Sequence, residues 1–174
     1  MIHDLLDTSR IRAGEQLVLQ FVQGDLNSVI REVVSEMSLI HGDRFTFDSK
    51  GAVKGNWGFE GLRRAFENLI ENAVKYGASQ TPVIISLRHD KSSVEIIVHN
   101  EGPRIPEHEI PHLFQQYGRS KSAREGTAIG WGIGLTLVKG VVDAHKGKVR
   151  VESAEGKGTN FILEIPFAKA PTIP

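Results

Sequence analysis

The feature that most constrains the fold is a long helical pattern followed at once by two alternating strands. Apolar residues recur at helical spacing over 59–76, and Gly77 ends the pattern. Val83–His89 and Val94–Asn100 then alternate between apolar and polar residues, and a short polar turn joins them. The helix has an ordinary core-facing stripe on one side. The sequence therefore predicts an amphipathic helix beside an antiparallel pair of strands.

The remaining segments complete an α+β pattern with mainly antiparallel strands. A helix is predicted from Leu26 to about His41, with Asp25 as its N-cap, and Gly51–Gly58 has the composition of a glycine-rich connection. Residues 1–16 also show helical spacing. The other predicted elements are a strand over Arg44–Ser49, a short helix over Glu107–Gln116 that Pro111 could interrupt, a long loop over Tyr117–Trp131, a helix from Leu135 to His145, and strands over Lys148–Ser153 and Thr159–Phe167.

Composition excludes several classes of function. The 174 residues suit one domain, and 21 basic residues balance 21 acidic ones. A net charge of zero argues against a nucleic-acid partner, which would require a basic excess. The absence of cysteine excludes a disulfide framework and a thiol nucleophile, and it fits a cytoplasmic location. We find no apolar run long enough to span a membrane and no signal-peptide pattern.

The helix over 59–76 carries a second, polar stripe away from its core face. Asn68, Asn72, Lys75 and Tyr76 share this stripe. Asparagine is a mediocre helix former, so two of them contribute little to the helix itself. Two amide oxygens above a lysine suit a hydrated Mg²⁺ bound to a polyphosphate, because Mg²⁺ takes one or two protein oxygens and the rest from water and phosphate. The alternative is a solvated polar face without a ligand.

Asn100 is the last residue of the second alternating strand. The period of two places it on the same face as Val94, Ile96 and Val98, so it points inward at the edge of the core. An asparagine amide both donates and accepts, and it could match the amino group and N1 of adenine. The alternative is an asparagine that starts the turn Asn100–Pro103.

Two further patterns are weak when taken alone. The run Gly130–Leu135 alternates glycine with other residues just before a helix, where backbone N–H groups can approach phosphate oxygens, although a flexible loop would have the same composition. His108–His112 matches the zinc-protease pattern HExxH. Pro111 interrupts that pattern, and the zinc chemistry needs both histidines on one continuous helix. We therefore do not expect a zinc site there.

Taken in order, five of these segments resemble the catalytic ATP-binding domain of bacterial sensor histidine kinases, which has the GHKL or Bergerat fold. The resemblance covers about residues 17–166. It implies a two-layer α/β sandwich, with a mixed, mainly antiparallel sheet of about five strands on about three helices and a mobile ATP lid. The segments are Asn68–Tyr76 as N box, Val98–Pro106 as G1 box, Leu113–Tyr117 as F box, Gly130–Leu135 as G2 box and Gly156–Thr159 as the last glycine box.

The resemblance implies ATP or ADP with Mg²⁺ as ligands, and it gives roles to individual residues. Asn72 would hold Mg²⁺ with Asn68 beside it, Asn100 would read the adenine edge, and Thr159 would lie behind the base. Asn68, Lys75 and Lys121 would act in catalysis. Lys75 and Tyr76 would contact phosphate or ribose, and Ile105 and Leu135 would contact the purine. In the lid Tyr117–Trp131, the residues near the phosphates would be Arg119, Ser120 and Lys121. The further residues expected along the nucleotide are Gly102, Gly130, Trp131, Gly132, Ile133 and Gly134.

Two residues depart from the usual G1 box, and a third bears on the reaction. Asn100 stands where the family usually has aspartate, and Arg104 stands where it has a second glycine. Asn68 stands where hydrolysing relatives carry a general-base glutamate, which favours transfer to a protein acceptor over hydrolysis. We expect a protein-histidine kinase domain. The alternatives are a regulatory nucleotide-binding module without kinase activity and a GHKL ATPase.

The resemblance also predicts domain organisation and partners. Residues 1–16 resemble the end of a dimerisation helix, 17–168 would form the catalytic domain, and 169–174 would be a disordered tail. Residues 1–16 contain no His-Glu/Asp motif followed by proline, so the phospho-accepting histidine would lie on a dimerisation domain absent from this chain. The partners would be that domain and a response regulator. We expect a monomeric fragment of a homodimeric parent, in the cytoplasm or on the cytoplasmic side of a membrane-bound sensor kinase.

Overall fold

A five-stranded sheet with helices on one face forms the framework of the protein. The computed structural model describes residues 6–7, 9–11, 15–115 and 134–167. The elements are β1 (Val22–Asp25), α1 (Leu26–His41), β2 (Phe45–Ser49), β3 (Lys54–Trp57), α2 (Phe59–Tyr76), β4 (Val83–His89), β5 (Ser93–Asn100), a 3₁₀ turn (Ile110–His112), α3 (Gly134–Ala144), β6 (Lys148–Ala154) and β7 (Gly158–Pro166).

The strand order is β2-β4-β5-β7-β6, and β1 and β3 form a separate two-stranded sheet. β2 pairs with β4 in parallel, and the other neighbours are antiparallel. The helices α1, α2 and α3 pack on the large sheet, with α2 against β5 and α3 against β6 and β7. The predicted α+β sandwich with a mixed, mainly antiparallel sheet of five strands is therefore confirmed.

The core lies between the helices and one face of the large sheet. On β5 the residues Val94, Ile96 and Val98 are buried while their neighbours are partly exposed, as a period of two requires. In the apolar stripe of α2, Phe66 and Leu69 are fully buried. Burying this stripe contributes on the order of 2 kcal/mol per large side chain relative to exposure. The core therefore fixes which way α2 faces.

The expectation that Gly51–Gly58 is only a connection was wrong. Lys54–Trp57 forms β3 and pairs antiparallel with β1, with Gly24 opposite Gly55. A Cβ on Gly24 would lie 2.7 Å from the Phe59 ring, and one on Gly55 would lie 2.6 Å from the Trp57 ring. These glycines make room for aromatic rings packed on the small sheet. In the sequence the same glycines look like loop signals.

Asp25 caps α1 and ties it to the segment before β3. Its Oδ1 accepts hydrogen bonds from the backbone N–H of Asn27 at 3.0 Å and of Val53 at 2.9 Å. Burial alone would raise the pKa of this carboxyl, but the bonds from Asn27 and Val53 outweigh burial and lower the pKa below its ordinary value. The predicted N-cap is therefore confirmed, and it also fixes a long-range contact.

The predicted helix over Glu107–Gln116 was too long. Within the described residues only Ile110–His112 forms a 3₁₀ turn. Pro111 lacks a backbone donor and stands inside this turn, so a continuous α-helix cannot form through it. His108 and His112 consequently do not share the continuous helix that a zinc-protease motif requires.

The N-terminal helical residues contact the sandwich through α2 and α3. Residues 6–7 and 9–11 are helical. An oxygen of Asp7 lies 2.5 Å from the Arg64 guanidinium on α2. A Cβ on Gly140 of α3 would lie 2.4 Å from Ile11. One charged and one apolar contact thus hold this helix end against both helices. In the described parts of the chain, no helix is both long and apolar enough to span a membrane.

His145 joins the C-terminal end of α3 to the start of α2. Its Nδ1 lies 2.7 Å from the carbonyl oxygen of Val141, and its Nε2 accepts the backbone N–H of Gly58 at 3.0 Å. Gly58 is the N-cap of α2. This pair of bonds requires a neutral ring with its proton on Nδ1. Burial lowers the pKa of His145 below 6.5, although the bond to Val141 acts in the opposite direction.

We expect the pH dependence of stability to report on His145. The pKa of His145 is lowered in the folded state. Its contribution to folding stability is therefore complete above 6.5, the pKa in the unfolded chain, and is lost as the pH falls below that value. Urea unfolding of the wild type should show a loss of stability between about pH 7.5 and about pH 5.5. His145→Gln should flatten this dependence while lowering stability at neutral pH by about 1–3 kcal/mol. His41→Gln, at an exposed histidine, is the control and should keep the wild-type slope. An unchanged slope in His145→Gln would show that another group titrates.

Candidate nucleotide-binding site

Three polar side chains lie side by side at one end of the large sheet. Asn100 on β5 is opposite Thr159 on β7, and Thr159 is opposite Ser153 on β6. We call these three residues the polar row. Asn100 and Thr159 are 6% and 4% exposed, so the row continues the buried face of the sheet where the apolar residues stop. The inward orientation predicted for Asn100 is confirmed.

The backbone at Asn100 and Glu101 is enclosed by two glycines from other elements. A Cβ on Gly158 would lie 2.2 Å from the carbonyl oxygen of Asn100, and Gly158 has a φ of +69°. A Cβ on Gly77 would lie 3.1 Å from the carbonyl oxygen of Glu101 and 3.3 Å from the Asn100 side chain. Only residues without side chains allow this approach. The approach brings the end of α2, the end of β5 and the start of β7 together.

Hydrogen bonds hold the same junction. The backbone N–H of Ala78, just after α2, donates to the carbonyl oxygen of Glu101 at 2.6 Å. The Asn100 amide nitrogen also donates to the Glu101 oxygen, at 3.1 Å. This bond orients the amide, so its oxygen is the atom left to accept a further bond. That oxygen has no hydrogen-bond donor among the described residues.

The polar stripe of α2 runs toward this junction. Asn68 and Asn72 are half-buried, Lys75 and Tyr76 are exposed, and the Lys75 ammonium lies 5.3 Å from the centre of the Tyr76 ring. The Asn68 amide donates to the Arg64 carbonyl at 2.8 Å. The Asn72 amide has no hydrogen-bond partner in the described part of the chain. Its oxygen is therefore available to a ligand, as Mg²⁺ coordination requires.

The start of α3 packs against the same stripe and against the segment after the 3₁₀ turn. A Cβ on Gly134 would lie 2.3 Å from the Asn68 amide oxygen, so Gly134 and Asn68 are in close contact. The buried Thr136 hydroxyl donates to the Phe114 carbonyl at 3.4 Å. The Phe114 ring packs edge-on against Phe161 of β7, with centroids 6.4 Å apart. Residues of the predicted N, F and G2 boxes therefore meet.

The turn after Asn100 accommodates Arg104, one of the two residues that depart from the usual G1 pattern. Gly102 has a φ of +157°, and a Cβ there would lie 3.0 Å from the Tyr76 carbonyl oxygen, so this glycine is required. Arg104 does not have a positive φ, and its guanidinium lies 3.3 Å from a Glu107 carboxylate oxygen. The backbone at 104 thus accepts a side chain. Ile105 is half-buried and donates its backbone N–H to Ser153.

This arrangement of helix, turn and strands agrees with a protein-family comparison. The family model "Histidine kinase-, DNA gyrase B-, and HSP90-like ATPase" matches residues 59–169, which include α2, the G1 turn, α3 and the polar row. The chain belongs to this family. The resemblance drawn from the five sequence segments is therefore confirmed.

Several of the relatives to which the chain is similar are histidine kinases. It is 34% identical over 170 residues to the sensor-like histidine kinase SenX3 of Mycolicibacterium smegmatis, covering 95% of this chain and 44% of SenX3. The catalytic domain of histidine kinase ThkA aligns with a TM-score of 0.73 at 26% identity, over 87% of this chain and all of that domain. Full-length ShkA in complex with AMPPNP aligns with a TM-score of 0.82 at 23% identity, over 97% of this chain and 35% of ShkA, and it shows the shared fold. The chain spans less than half the length of SenX3.

The structure brings together the candidate residues of α2, the G1 turn, the start of α3 and β7. The predicted lid Tyr117–Trp131 lies outside the described residues, and so does the tail 169–174. The candidate residues that also lie outside them are Arg119, Ser120, Lys121, Gly130, Trp131, Gly132 and Ile133.

Sequence reasoning missed Ser153 and Gly77 as parts of this site. Ser153 occupies an inward position on a predicted strand, opposite Thr159 across a tight turn. That pairing could have been read from the turn Glu155–Gly158. The role of Gly77 had no such signal, because a glycine after a helix is an ordinary helix end.

We expect the contact between Gly158 and Asn100 to be visible in paired glycine variants. Gly156 and Gly158 have φ values of +70° and +69°, but a Cβ on Gly156 meets nothing within 4 Å. Gly156→Ala should therefore cost only the left-handed strain, about 1–2 kcal/mol. Gly158→Ala should lower the free energy of unfolding by at least about 2 kcal/mol more than Gly156→Ala does, because its methyl group overlaps the Asn100 carbonyl. Urea unfolding of both variants measures the difference. Equal losses would contradict the close approach.

Proposed function

We propose that this chain is the catalytic ATP-binding part of a sensor histidine kinase, which binds Mg·ATP and transfers the γ-phosphate to a histidine on a separate dimerisation domain. The observation that carries the proposal is the junction at Asn100. There an oriented amide and the polar row lie beside the end of α2, one helical turn after the unpartnered amide of Asn72, in a member of an ATPase family. Residues 17–168 would form the catalytic unit.

The polar row would receive the adenine. Asn100 keeps its amide oxygen free as an acceptor because its nitrogen donates to Glu101. Adenine presents an amino group as a donor where guanine presents a carbonyl oxygen, so an accepting oxygen favours adenine. Thr159 would lie behind the base, and Ile105 and Leu135, both half-buried, would supply apolar walls.

Asn72 would hold Mg²⁺, with Asn68 beside it. Its half-buried amide oxygen is a hard ligand without a protein partner, which fits the one or two protein oxygens that Mg²⁺ takes. When bound, the ion would supply positive charge that stabilises the charge developing during phosphoryl transfer. Lys75 and Tyr76 would contact phosphate or ribose, and Lys75 and Lys121 would supply positive charge near the transferred group.

The lid would complete the phosphate site. Arg119, Ser120 and Lys121 would lie near the phosphates, and Gly102 and Gly130–Gly134 would allow close backbone approach. Closing the lid would exclude water from the transferred phosphoryl group. This part of the proposal rests on the resemblance.

Asn68 stands where hydrolysing relatives carry a general-base glutamate, and this favours transfer over hydrolysis. Asn68 donates its amide to the Arg64 carbonyl, and an amide cannot take a proton from water. In the proposed reaction, a nitrogen of the acceptor imidazole forms a bond to the γ-phosphorus while the bond to the ADP oxygen breaks. ADP leaves, and the phosphohistidine would then pass its phosphoryl group to a response regulator. The alternatives are a regulatory nucleotide-binding module and a self-sufficient ATPase.

The contacts of the N-terminal helical residues support the proposed domain organisation. Residues 1–16 would be the end of a dimerisation helix, and its Asp7 and Ile11 rest on Arg64 and Gly140. The parent protein would be a homodimer that carries the acceptor histidine, and the fragment would be a monomer. We place the catalytic part in the cytoplasm, including the case of a membrane-bound parent.

We expect Asn72→Ala to remove Mg·ATP binding without unfolding the protein. Loss of a metal ligand should weaken Mg·ATP binding on the order of 100-fold, or about 2.8 kcal/mol, with an unchanged melting temperature. Calorimetric titration with and without Mg²⁺ measures this. Glu71→Ala, at the exposed neighbouring residue of α2, is the control and should bind as the wild type does. Wild-type affinity of Asn72→Ala in Mg²⁺ would refute the metal assignment.

We expect phosphoryl transfer when the dimerisation domain of the parent protein is supplied with γ-labelled ATP. Acid-labile phosphohistidine should form on that domain, and neither an acceptor His→Ala variant nor Asn72→Ala of this chain should support labelling. No phosphohistidine despite measurable ATP binding would favour the regulatory module. Steady-state phosphate release by this chain alone would favour the ATPase.

A further inference from the structure

Ser153 makes an unusual set of contacts for a serine on an edge strand. Its hydroxyl oxygen accepts the backbone N–H of Ile105 at 3.0 Å. The same oxygen lies 2.7 Å from the Thr159 hydroxyl and 3.4 Å from the Gly158 carbonyl oxygen. Ser153 therefore joins the turn after β5 to the start of β7, although it belongs to neither.

The bond to Ile105 restrains a segment with few other restraints. Residues 102–105 lie between β5 and the 3₁₀ turn and form no regular structure. Within the described residues, the bond from Ile105 to Ser153 is the hydrogen bond that ties this segment to a strand. Pro103 has no N–H to donate, and within the described residues the Arg104 side chain pairs with the nearby Glu107. The hydrogen-bonded position of the Ile105 backbone thus depends on the Ser153 hydroxyl group.

The hydrogen-bond capacity of a hydroxyl group couples Ile105 to Thr159. Ser153 has one proton and two acceptor sites, and Ile105 occupies one acceptor site. Either Ser153 donates to Thr159, or Thr159 donates to Ser153 while the Ser153 proton points to Gly158. In both arrangements the same oxygen holds Ile105 and fixes the Thr159 hydroxyl. Thr159 lies opposite Asn100 on β5.

We propose that Ser153 is a positioning residue for nucleotide binding: it holds the Ile105 segment and the Thr159 hydroxyl in the geometry that receives the adenine, without touching the nucleotide. This inference rests on the proposed function. It predicts that loss of the hydroxyl weakens binding at the base end of the nucleotide, independently of Mg²⁺. A defect at Asn72 would instead depend on Mg²⁺.

The test uses the full chain and three variants. Ser153→Ala removes the hydroxyl, Ser153→Thr keeps it, and Ser86→Ala is the matched control. Ser86 is also a half-buried strand serine, but its hydroxyl has no hydrogen-bond partner in the described part of the chain. Affinities for Mg·ATP and for ADP in EDTA are measured by calorimetry. Hydrogen exchange of the Ile105 amide is measured by NMR without nucleotide.

Ser153→Ala should speed hydrogen exchange of the Ile105 amide about tenfold or more. It should also weaken the binding of Mg·ATP and of ADP by the same factor, about five- to tenfold. Ser153→Thr should restore both properties to within about threefold, and Ser86→Ala should change neither. Unchanged exchange or unchanged affinity in Ser153→Ala, or a loss that Ser153→Thr does not restore, would overturn the positioning role. Failure of the wild type to bind either nucleotide would instead overturn the proposed function.

Discussion

The architecture of the site depends on the close packing of three backbones at Asn100 and Glu101. Gly77 approaches this segment from the end of α2, and Gly158 approaches it from the start of β7. Any side chain at Gly158 would overlap the Asn100 carbonyl, so the approach needs glycine there. The bond from Ala78 to Glu101 then fixes α2 relative to β5. Because of this junction, the polar stripe of α2 faces the polar end of the sheet.

The polar row uses the same alternation that builds the core. Along β5, every second residue from Val94 to Val98 is buried, and Asn100 continues that series. Buried polar groups are costly unless they are bonded, and here Asn100 bonds to Glu101 while Thr159 bonds to Ser153. Apolar walls with a few oriented polar groups are what a small-molecule site requires. The core and the candidate site are therefore two ends of one surface.

Elements governed by local periodicity were predictable. The bounds of α2 and β4 agree with the sequence pattern to the residue, because a strong amphipathic period is bounded by glycine or polar turns. β1 and β3 were missed because Gly24 and Gly55, which make room for aromatic rings, resemble loop residues in the sequence. The helix expected over Glu107–Gln116 failed because Pro111 lies inside it. The ring that Gly24 accommodates belongs to Phe59, which is distant along the chain, so the residues around Gly24 give no sign of it.

Two levels of information thus define this protein. The order of residues alone was enough for the α+β pattern of elements, the two stripes of α2 and the inward orientation of Asn100, because each depends on neighbours within a few positions. The mixed sheet of five strands was implied by the family resemblance. The register that sets Asn100 opposite Thr159 became visible only in the folded chain. So did the bond between Ile105 and Ser153, which lie 48 positions apart. Such contacts depend on how the sheet and helices pack, and packing is a property of the whole core rather than of any segment.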